Sequence, residues 1–385
     1  MTRSIFHVIT GLEIGGAEML LVELCRKQIQ RGYEVSVVSL ISDGPMRERF
    51  ARTGIEVIGL GMKRGQLLAL GLMRLVRRVR WRRPVLVQGW LYHGNLAAMA
   101  AAWLSGVRPR PRLAWGIFGA VPEFACYPPR LRWAVNASMR LSPLVDGIAF
   151  NSKVALESHR QYGFRSRLMR QVSNGIDLTA FRPRPDLRPV IRRQLNLPED
   201  AVVVIAVGRL DPMKNWPGML AMSASLAEKN IWLVAVGEGT ERLPPGPQRL
   251  LLGRRDDMPA LYVAADIFLL ASHFGEGTSV ALTEAMACGL PVIVTDVGDN
   301  GAAAQDAGFV VKPRDDASLA QTLSRLAFDP ALRTRAGKTA KERATGFGVD
   351  RLDASFCEFY SALLVPGPER IEFANPDGFK SCRSC

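Results

Sequence analysis

The sequence has few cysteines and no long hydrophobic run. Its 385 residues include six cysteines, too few and too widely spaced for a disulfide framework, so we expect a reducing, cytoplasmic environment. The longest stretch without charge, residues 85–107, contains Gln88, His93 and Asn95. It predicts a strand and a soluble helix rather than a membrane span. The first ten residues become polar too soon for a signal peptide, so none is expected.

Metal-binding patterns are equally scarce. The chain has four histidines, and Cys382 and Cys385 are spaced like half of a zinc site. The sequence offers no second pair of ligands close by. We therefore expect no bound metal and a loose tail at residues 366–385.

Acidic residues are scarce in the first part of the chain and common in the second. The formal charge of the whole chain is +14. Residues 1–180 hold 26 basic and 11 acidic side chains, whereas residues 181–385 hold 24 and 25. A uniformly basic chain favours nucleic acid as a partner, but no nucleic-acid-binding module accompanies this charge. The uneven distribution indicates instead that the first part faces an anionic partner.

What is present is an alternation of short apolar runs with helix-like stretches, which predicts parallel sheets covered by helices. The predicted strands of a first sheet are residues 5–10, 34–41, 55–60, 85–88, 113–115 and 146–150. Those of a second sheet are residues 201–207, 232–236, 267–270, 292–295 and 309–311. The sequence therefore predicts an α/β protein with two doubly wound, Rossmann-like domains that face each other across a cleft.

The predicted boundaries follow the composition. An N-terminal domain at residues 1–180 precedes a proline-rich, charged linker at residues 181–200. A C-terminal domain occupies residues 201–349, and an amphipathic helix at 350–365 could cross back to the N-terminal domain. In such sheets ligands bind beyond the carboxyl ends of the strands, so functional motifs are sought where strands lead into helices.

An acidic pair follows the strand at 267–270. Glu276 lies in the loop before a helix whose predicted N-cap is Thr278 or Ser279, and Glu284 lies in the second turn of that helix. Gly277 lets the backbone approach a ligand, and free amides at a helix start favour phosphate. Two carboxylates beside a phosphate site suit the hydroxyls of a sugar nucleotide. The alternative is a helix with one capping and one solvated glutamate.

Two cations follow the strand at 201–207. Gly208 permits a tight turn, after which Arg209 and Lys214 can converge on one diphosphate. The alternative is two unrelated surface cations. A glycine pair, Gly15 and Gly16, follows the first strand. It is not the dinucleotide fingerprint, and we interpret it as a flexible helix start facing the cleft or as a point of tight packing.

Taken together, these segments resemble the retaining glycosyltransferases of family four, which have the GT-B fold. The matching stretches, in the family's order, are residues 15–18, 174–177, 207–211 with Lys214, 253–257, and the run from Glu276 through Glu284 to residue 300. They cover roughly residues 5 to 360, and the second half matches better than the first.

The resemblance implies a role for each matching residue. Arg209 and Lys214, after the turn at Gly208, would hold the diphosphate of a nucleotide-sugar donor, with Gly16 near the phosphates across the cleft. Glu284 would bind the ribose hydroxyls, and Arg254 would lie in the loop beside the base. Glu276 would contact the transferred sugar, helped by the backbone amides of Thr278, Ser279 and Val280.

The resemblance also implies the donor and the type of reaction. The donor would be a uridine diphosphate sugar or, as the second choice, a guanosine diphosphate sugar, and no metal ion or other cofactor would be required. The enzyme would transfer a hexosyl or N-acetylhexosaminyl group with retention. The acceptor would be a glycan or a lipid-linked sugar in cell-surface polysaccharide or glycoconjugate synthesis.

Histidine marks a departure from the family pattern. Family members commonly carry a histidine in the loop after the fifth strand, where this chain has residues 113–122 with Phe118 and no histidine. His93 is the best substitute as a catalytic residue, although a buried structural role fits it equally. We expect His7 in the core, His159 on the surface and His273 shaping the loop before Glu276.

A basic helix is predicted on the acceptor side. Residues 63–83 contain eight cations and no acid, with apolar residues at helical spacing. Such a helix can bind an anionic membrane surface. An ordinary helix, packing one face on the sheet, is the alternative. The charge asymmetry favours a peripheral enzyme on the inner face of the plasma membrane.

Two other functions share this architecture. A nucleotide-sugar 2-epimerase would act on the donor alone. A non-catalytic subunit of a glycan assembly complex would keep the fold without turnover, a reading that Phe118 favours slightly and that the cations and carboxylates oppose.

Overall fold

The computed structural model describes residues 3–41, 44–62, 68–226 and 229–364. In this part of the chain, seven parallel strands form the first sheet, in the order β3-β2-β1-β4-β5-β6-β7. The strands are β1 Ser4–Ile9, β2 Glu34–Ser39, β3 Glu56–Gly59, β4 Leu86–Trp90, β5 Arg112–Ile117, β6 Gly147–Phe150 and β7 Met169–Gln171. The helices between them are α1 Gly16–Gln30, α2 Met46–Arg52, α3 Leu68–Arg82, α4 Leu91–Leu104, α5 Pro129–Leu141 and α6 Lys153–Tyr162.

The second sheet has six parallel strands among the described residues, in the order β10-β9-β8-β11-β12-β13. The strands are β8 Val202–Val207, β9 Ile231–Val236, β10 Arg249–Leu251, β11 Ile267–Leu270, β12 Val292–Thr295 and β13 Gly308–Val311. The helices are α7 Arg188–Gln194, α8 Trp216–Leu226, α9 Met258–Ala264, α10 Val280–Ala287, α11 Asn300–Ala304, α12 Asp316–Phe328, α13 Pro330–Ala344 and α14 Val349–Leu364.

Each sheet is covered on both faces, which explains why its central strands are apolar throughout. All six residues of β1 are buried. Helices α1, α2 and α14 cover one face of the first sheet, and α3, α4 and α5 cover the other. In the second sheet, α9, α10 and α13 lie on one face and α8 and α12 on the other. The predicted α/β architecture of two doubly wound domains is confirmed.

The sequence missed two strands, β7 and β10. Both are three residues long and lie at the edge of their sheet. β7 holds two polar residues, Arg170 and Gln171, and β10 has only three residues, so neither shows the longer apolar run that marks a central strand. The predicted bounds of β11 and β12 match the structure, those of the other strands differ by one or two residues, and β5 extends two residues beyond its prediction on the loop side.

The segment predicted as a linker, residues 181–200, contains the helix α7. Its Arg192 is buried, and the guanidinium donates to the carbonyl oxygens of Ala201 and Ala264 and to the carboxylate of Asp266. The segment is therefore fastened to the C-terminal sheet rather than extended. The boundaries at residues 180 and 200 stay predictions.

Helix α14 leaves the C-terminal domain and packs on the N-terminal one. Phe356, Phe359 and Tyr360 are buried in the same cluster as β1 and α1. Arg31, which follows α1, donates two hydrogen bonds to Asp353, at 3.1 and 2.7 Å. The tail at residues 366–385, with Cys382 and Cys385, lies outside the described residues. Within the described ranges, no helix is both long and apolar enough to cross a membrane.

Candidate active site

The carboxyl ends of the two sheets meet at one cleft. Gly16, at the start of α1, lies so close to Val280 that a Cβ on it would be 3.2 Å from the valine Cγ2. Asn151, which follows β6, donates to the carbonyl of Thr278 after β11, at 3.4 Å. The loops after the strands of both domains therefore face each other, as ligand binding in a doubly wound fold requires.

A buried ion pair lies on the C-terminal side of this cleft. The Nζ of Lys214 donates to Oε1 of Glu276 at 2.5 Å, and both side chains are largely buried. The hydroxyl of Ser272 donates to the same carboxylate oxygen at 2.6 Å. Since removing one member of a buried pair leaves an uncompensated charge, the two residues form one unit.

Gly208 leaves room for the side chain of Lys214. A Cβ on Gly208 would lie 3.0 Å from side-chain carbons of Lys214, a tight contact that would require the lysine side chain to shift by a few tenths of an ångström. The missing side chain therefore lets the lysine lie across the end of β8. Lys214 ends a turn whose start is capped by Asp211, which accepts from the amide of Met213.

Arg209 lies beside this pair with its side chain exposed. Its Nη2 contacts Oδ2 of Asp211 at 3.3 Å, and its backbone carbonyl accepts from the indole of Trp216 at 2.8 Å. The backbone is thus fixed while the guanidinium faces solvent in the cleft. Sequence reasoning placed both cations at this strand end, and the structure has them there.

Glu18 is a cleft residue that sequence reasoning did not select. Burial raises its pKa to about 7, and the positive charge of Arg209, in the C-terminal domain, opposes that rise. A Cβ on Gly15 would overlap the carboxylate of Glu18. The residue is third in α1, a position at which glutamate commonly caps a helix, so its sequence signal was that of an ordinary capping residue.

Glu284 is buried in the second turn of α10. The hydroxyl of Tyr262, on α9, donates to its Oε2 at 3.0 Å. Burial raises the pKa of Glu284 to about 7, against this hydrogen bond and the charge of Arg49 from the N-terminal domain. Nothing in the sequence paired Tyr262 with Glu284, because their elements are separated by β11.

The start of α10 is held by side chains from both domains. Ser279 is its N-cap, as predicted, but its own amide donates to Oδ1 of Asn300 at 2.9 Å. Asn174 donates to the carbonyl of Thr278 at 2.7 Å. A Cβ on Gly277 would overlap the amide group of Asn151. The roles of Thr278, Ser279 and Val280 toward a sugar stay predictions, and the Ser279 amide already has an acceptor.

The loop predicted to lie beside the base sits at the edge of the sheet. Gly253 has a φ of +62°, and its amide donates to the hydroxyl of Thr240 at 3.0 Å. Arg255 makes two hydrogen bonds with Asp257, at 2.8 and 2.6 Å. Arg254 is exposed, and its role toward a base stays a prediction.

The histidines lie in different surroundings. His93 is exposed in the first turn of α4, so the buried structural role considered for it is wrong, and its catalytic role stays a prediction. His7 is buried as expected and accepts from the indole of Trp90 at 3.0 Å. The amide of His273 donates to the carbonyl of Met213 at 2.8 Å, which ties the loop before Glu276 to the turn of Lys214.

The expectation that His159 lies on the surface is wrong. The ring packs edge-on against Phe164, at 4.9 Å between centroids, and lies 2.7 Å from the hydroxyl of Tyr92. Burial lowers its pKa to about 4. The helical spacing of α6 places this residue on the face that meets the sheet, and the sequence signal of a polar residue hid that placement.

The loop that lacks a histidine lies against the Glu276 loop. Phe118 stacks on Trp90, with ring centroids 4.8 Å apart and planes 8° apart. The amide of Ala120 donates to the carbonyl of Glu276 at 3.2 Å. Among the described residues, no group of three or more His, Cys, Asp or Glu side chains could hold a metal ion.

Two Rossmann-like domains that face each other across a cleft, with a C-terminal helix that crosses back to the first domain, define the GT-B fold. The structure superposes on that of Anabaena HepE in complex with UDP and glucose, with a TM-score of 0.80 and 22% identity over 94% of this chain and 100% of the other. Two family models match the sequence, "Glycosyltransferase Family 4" over residues 14–180 and "Glycosyl transferases group 1" over residues 188–343. The two models together match most of the chain, which belongs to the family-four, group 1 glycosyltransferases.

Among curated proteins, the chain is similar to D-inositol 3-phosphate glycosyltransferases. The protein from Salinispora arenicola is 34% identical over 236 residues, which are 53% of this chain and 52% of the relative. The one from Saccharomonospora viridis is 28% identical over 313 residues, 75% of this chain and 67% of the relative. In the first of these matches the chain spans about half the length of the curated relative.

Proposed function

We propose that this protein is a retaining, metal-independent glycosyltransferase that moves a hexosyl or N-acetylhexosaminyl group from a UDP-sugar to a glycan or lipid-linked acceptor. One observation carries the proposal: the Lys214–Glu276 pair, exposed Arg209 and buried Glu284 lie together at the carboxyl edge of the second sheet. The HepE structure with UDP and glucose has the same fold, which supports UDP as the first donor to test.

The cations fit the departure of a diphosphate. As the bond to the sugar breaks, negative charge grows on the leaving phosphate, and fixed cations in a closed site stabilise it. Arg209 supplies a planar fork of donors and Lys214 a point charge. These two residues supply the charge that a metal ion provides in other phosphate sites, so we propose that transfer proceeds without one.

The carboxylates fit the binding of hydroxyl groups. Glu276 is held by Lys214 and Ser272, which leaves its second oxygen to accept from a hydroxyl of the transferred sugar. Glu284 faces the cleft from its buried turn and would accept from the ribose hydroxyls. Retention follows if the acceptor attacks the face from which the diphosphate departs, with a phosphate oxygen taking the acceptor proton.

The direct test is calorimetric titration with UDP, GDP and ADP in the presence of EDTA. We expect micromolar binding of one nucleotide, which Arg209→Ala weakens at least tenfold because a charge-assisted contact is lost. Arg254→Ala tests the proposed base contact in the same assay. Failure of the wild-type chain to bind any of the three would contradict the donor site.

Product analysis then separates the proposed transferase from its alternatives. With a UDP-sugar and no acceptor, isomerisation of the sugar would identify an epimerase, and nucleotide binding without turnover would favour a non-catalytic subunit. The acceptors to test in the transferase assay are lipid-linked sugars and D-inositol 3-phosphate. The second compound is included because the curated relatives are named D-inositol 3-phosphate glycosyltransferases.

We further propose that the protein works at the cytoplasmic face of the plasma membrane. The basic helix α3 exposes Trp81, and α4 and α5 on the same face of the sheet expose Trp103 and Trp133. Arginine and tryptophan together suit an anionic membrane interface. Synthesis of a cell-surface glycan on a lipid carrier would take place there.

A further inference from the structure

One segment of the N-terminal domain bridges the cleft. This bridging segment, residues 118–127, follows β5 and contacts the C-terminal domain at several points. The amide of Ala120 donates to the carbonyl of Glu276, and a Cβ on Gly119 would lie 2.8 Å from the carbonyl of Gly275. Glu123 forms an ion pair with Arg314 at 3.0 Å. These contacts exist only while the two domains are together.

Tyr127 ends the bridging segment with a directed hydrogen bond. Its hydroxyl donates to Oδ1 of Asp211 at 2.7 Å. Its ring meets Phe274 edge-on, with centroids 6.2 Å apart and planes at 84°. Burial and the neighbouring carboxylate raise the pKa of Tyr127, so the hydroxyl keeps its proton and acts as the donor.

Asp211 connects this hydroxyl to the phosphate-binding cations. Its Oδ1 also accepts from the amide of Met213 at 3.1 Å, in the turn that carries Lys214. Its Oδ2 faces the guanidinium of Arg209 at 3.3 Å. The aspartate is therefore held by the N-terminal domain through one oxygen, and holds the arginine through the other.

We propose that Tyr127 is a positioning residue that couples domain closure to the orientation of Arg209 through Asp211. The inference rests on the proposed function, because it assigns Arg209 to a diphosphate. A carboxylate whose rotation is fixed by two donors holds its partner in fewer conformations, so less entropy is lost when the ligand binds. In the open state the hydroxyl is withdrawn, and Arg209 keeps a flexible contact with Asp211.

The test is Tyr127→Phe, which removes the hydroxyl and keeps the ring on Phe274. We expect UDP to bind about three- to tenfold more weakly, which is the size of effect expected for one ordinary hydrogen bond, while the protein remains folded. Tyr162→Phe is the matched control, since its hydroxyl donates to Asn136 within the N-terminal domain. That variant should bind UDP as the wild-type chain does.

A double-mutant cycle shows whether the effect passes through Arg209. Arg209→Lys keeps a cation but not the planar contact with Asp211, so adding Tyr127→Phe should weaken UDP binding less than twofold further. Wild-type affinity in Tyr127→Phe, or an undiminished loss in the Arg209→Lys background, would overturn the inference alone. Failure of the wild-type chain to bind any nucleotide would overturn the proposed function itself.

Discussion

Two carboxylates of the cleft have opposite surroundings. Glu276 is paired with Lys214, whereas Glu284 is buried beside the neutral hydroxyl of Tyr262. Burial, only partly offset by the charge of Arg49, raises the pKa of Glu284 to about 7. A buried carboxylate of this kind lowers the free energy of unfolding whenever it is ionised, because the unfolded chain loses the proton more easily.

Glu284→Gln should therefore stabilise the empty protein at pH 8 and have little effect at pH 5. The pKa of Glu284 is 4.5 in the unfolded chain and about 7 in the folded one. Between these two pH values the folded state holds a proton that the unfolded state has lost, so the contribution of Glu284 to the free energy of unfolding falls as the pH rises. The gain at pH 8 is about 2 to 3 kcal/mol, since glutamine has similar shape and still accepts from Tyr262.

Denaturant unfolding at both pH values measures this difference. The buried histidines titrate in both proteins and cancel in the comparison. Glu199→Gln, at an exposed position, should follow the wild-type chain at each pH. An equal stability change for Glu284→Gln at pH 5 and pH 8 would contradict the assignment.

At the scale of single residues, the sequence points to residues that directly follow a strand. It misses residues that take their role from a hydrogen bond or ion contact with a side chain on another element. Glu284 and Lys214 were selected as site residues because their spacing from a strand is visible in one segment. Tyr262, Glu18 and Tyr127 were missed because each takes its role from a residue on a different element. His159 was misplaced for the same reason, since the aromatic rings around it come from the sheet and from the end of its helix.

Among the elements, helix α6 is notable because the other domain completes its start. Ser152 accepts from the amide of Ala155, as an ordinary N-cap does. The amides of Lys153 and Val154 donate to the carboxylate of Asp299 in the C-terminal domain, at 2.7 and 2.9 Å. The helix therefore has a complete cap only in the closed arrangement.

Asp299→Ala should open the protein, because closure would leave two amides of α6 without their acceptor. We expect a larger radius of gyration in small-angle scattering and a higher KM for the donor. Asp315→Ala is the control. The Asp315 carboxylate caps α12 by accepting from the amide and hydroxyl of Ser318, which lies in the same domain. This control variant should lower stability by about 1 kcal/mol and leave the radius unchanged. Equal radii for both variants would refute a role of Asp299 in closure.

Sequence patterns predicted the central elements better than the connecting ones. Buried strands such as β8 and β11 are continuous apolar runs, which are a local signal. The segment that contains helix α7 was taken for a linker because prolines and arginines dominate it. Arg192 is nevertheless buried, and it donates hydrogen bonds to the carbonyl of the last residue of α9 and to the carbonyl that precedes β8. Such tertiary hydrogen bonds have no counterpart in local composition.

For the whole molecule, the chain's uneven charge coincides with an uneven surface. The apolar stripe of α3, including Leu75 and Val79, is buried on the sheet, as in the alternative of an ordinary packed helix. What the helix offers to a membrane is therefore its other face, where Arg77, Arg78 and Arg80 are exposed. Because the apolar face of α3 is already packed on the sheet, the proposed membrane binding would be electrostatic, through the exposed arginines.

Reversing these three charges, Arg77→Glu, Arg78→Glu and Arg80→Glu, should abolish binding to vesicles that contain anionic lipid. Each cation near such a surface contributes about 1 kcal/mol, so removing three lowers partitioning by at least about a hundredfold.

The matched control reverses three exposed cations of the C-terminal helix α13, Arg335, Lys338 and Lys341, and should leave binding intact. Co-sedimentation at rising salt measures both, with UDP titration as the check on folding. Equal loss in the two variants would mean that net charge, not the α3 face, governs binding, and unchanged binding of the α3 variant would reject the membrane role of this helix.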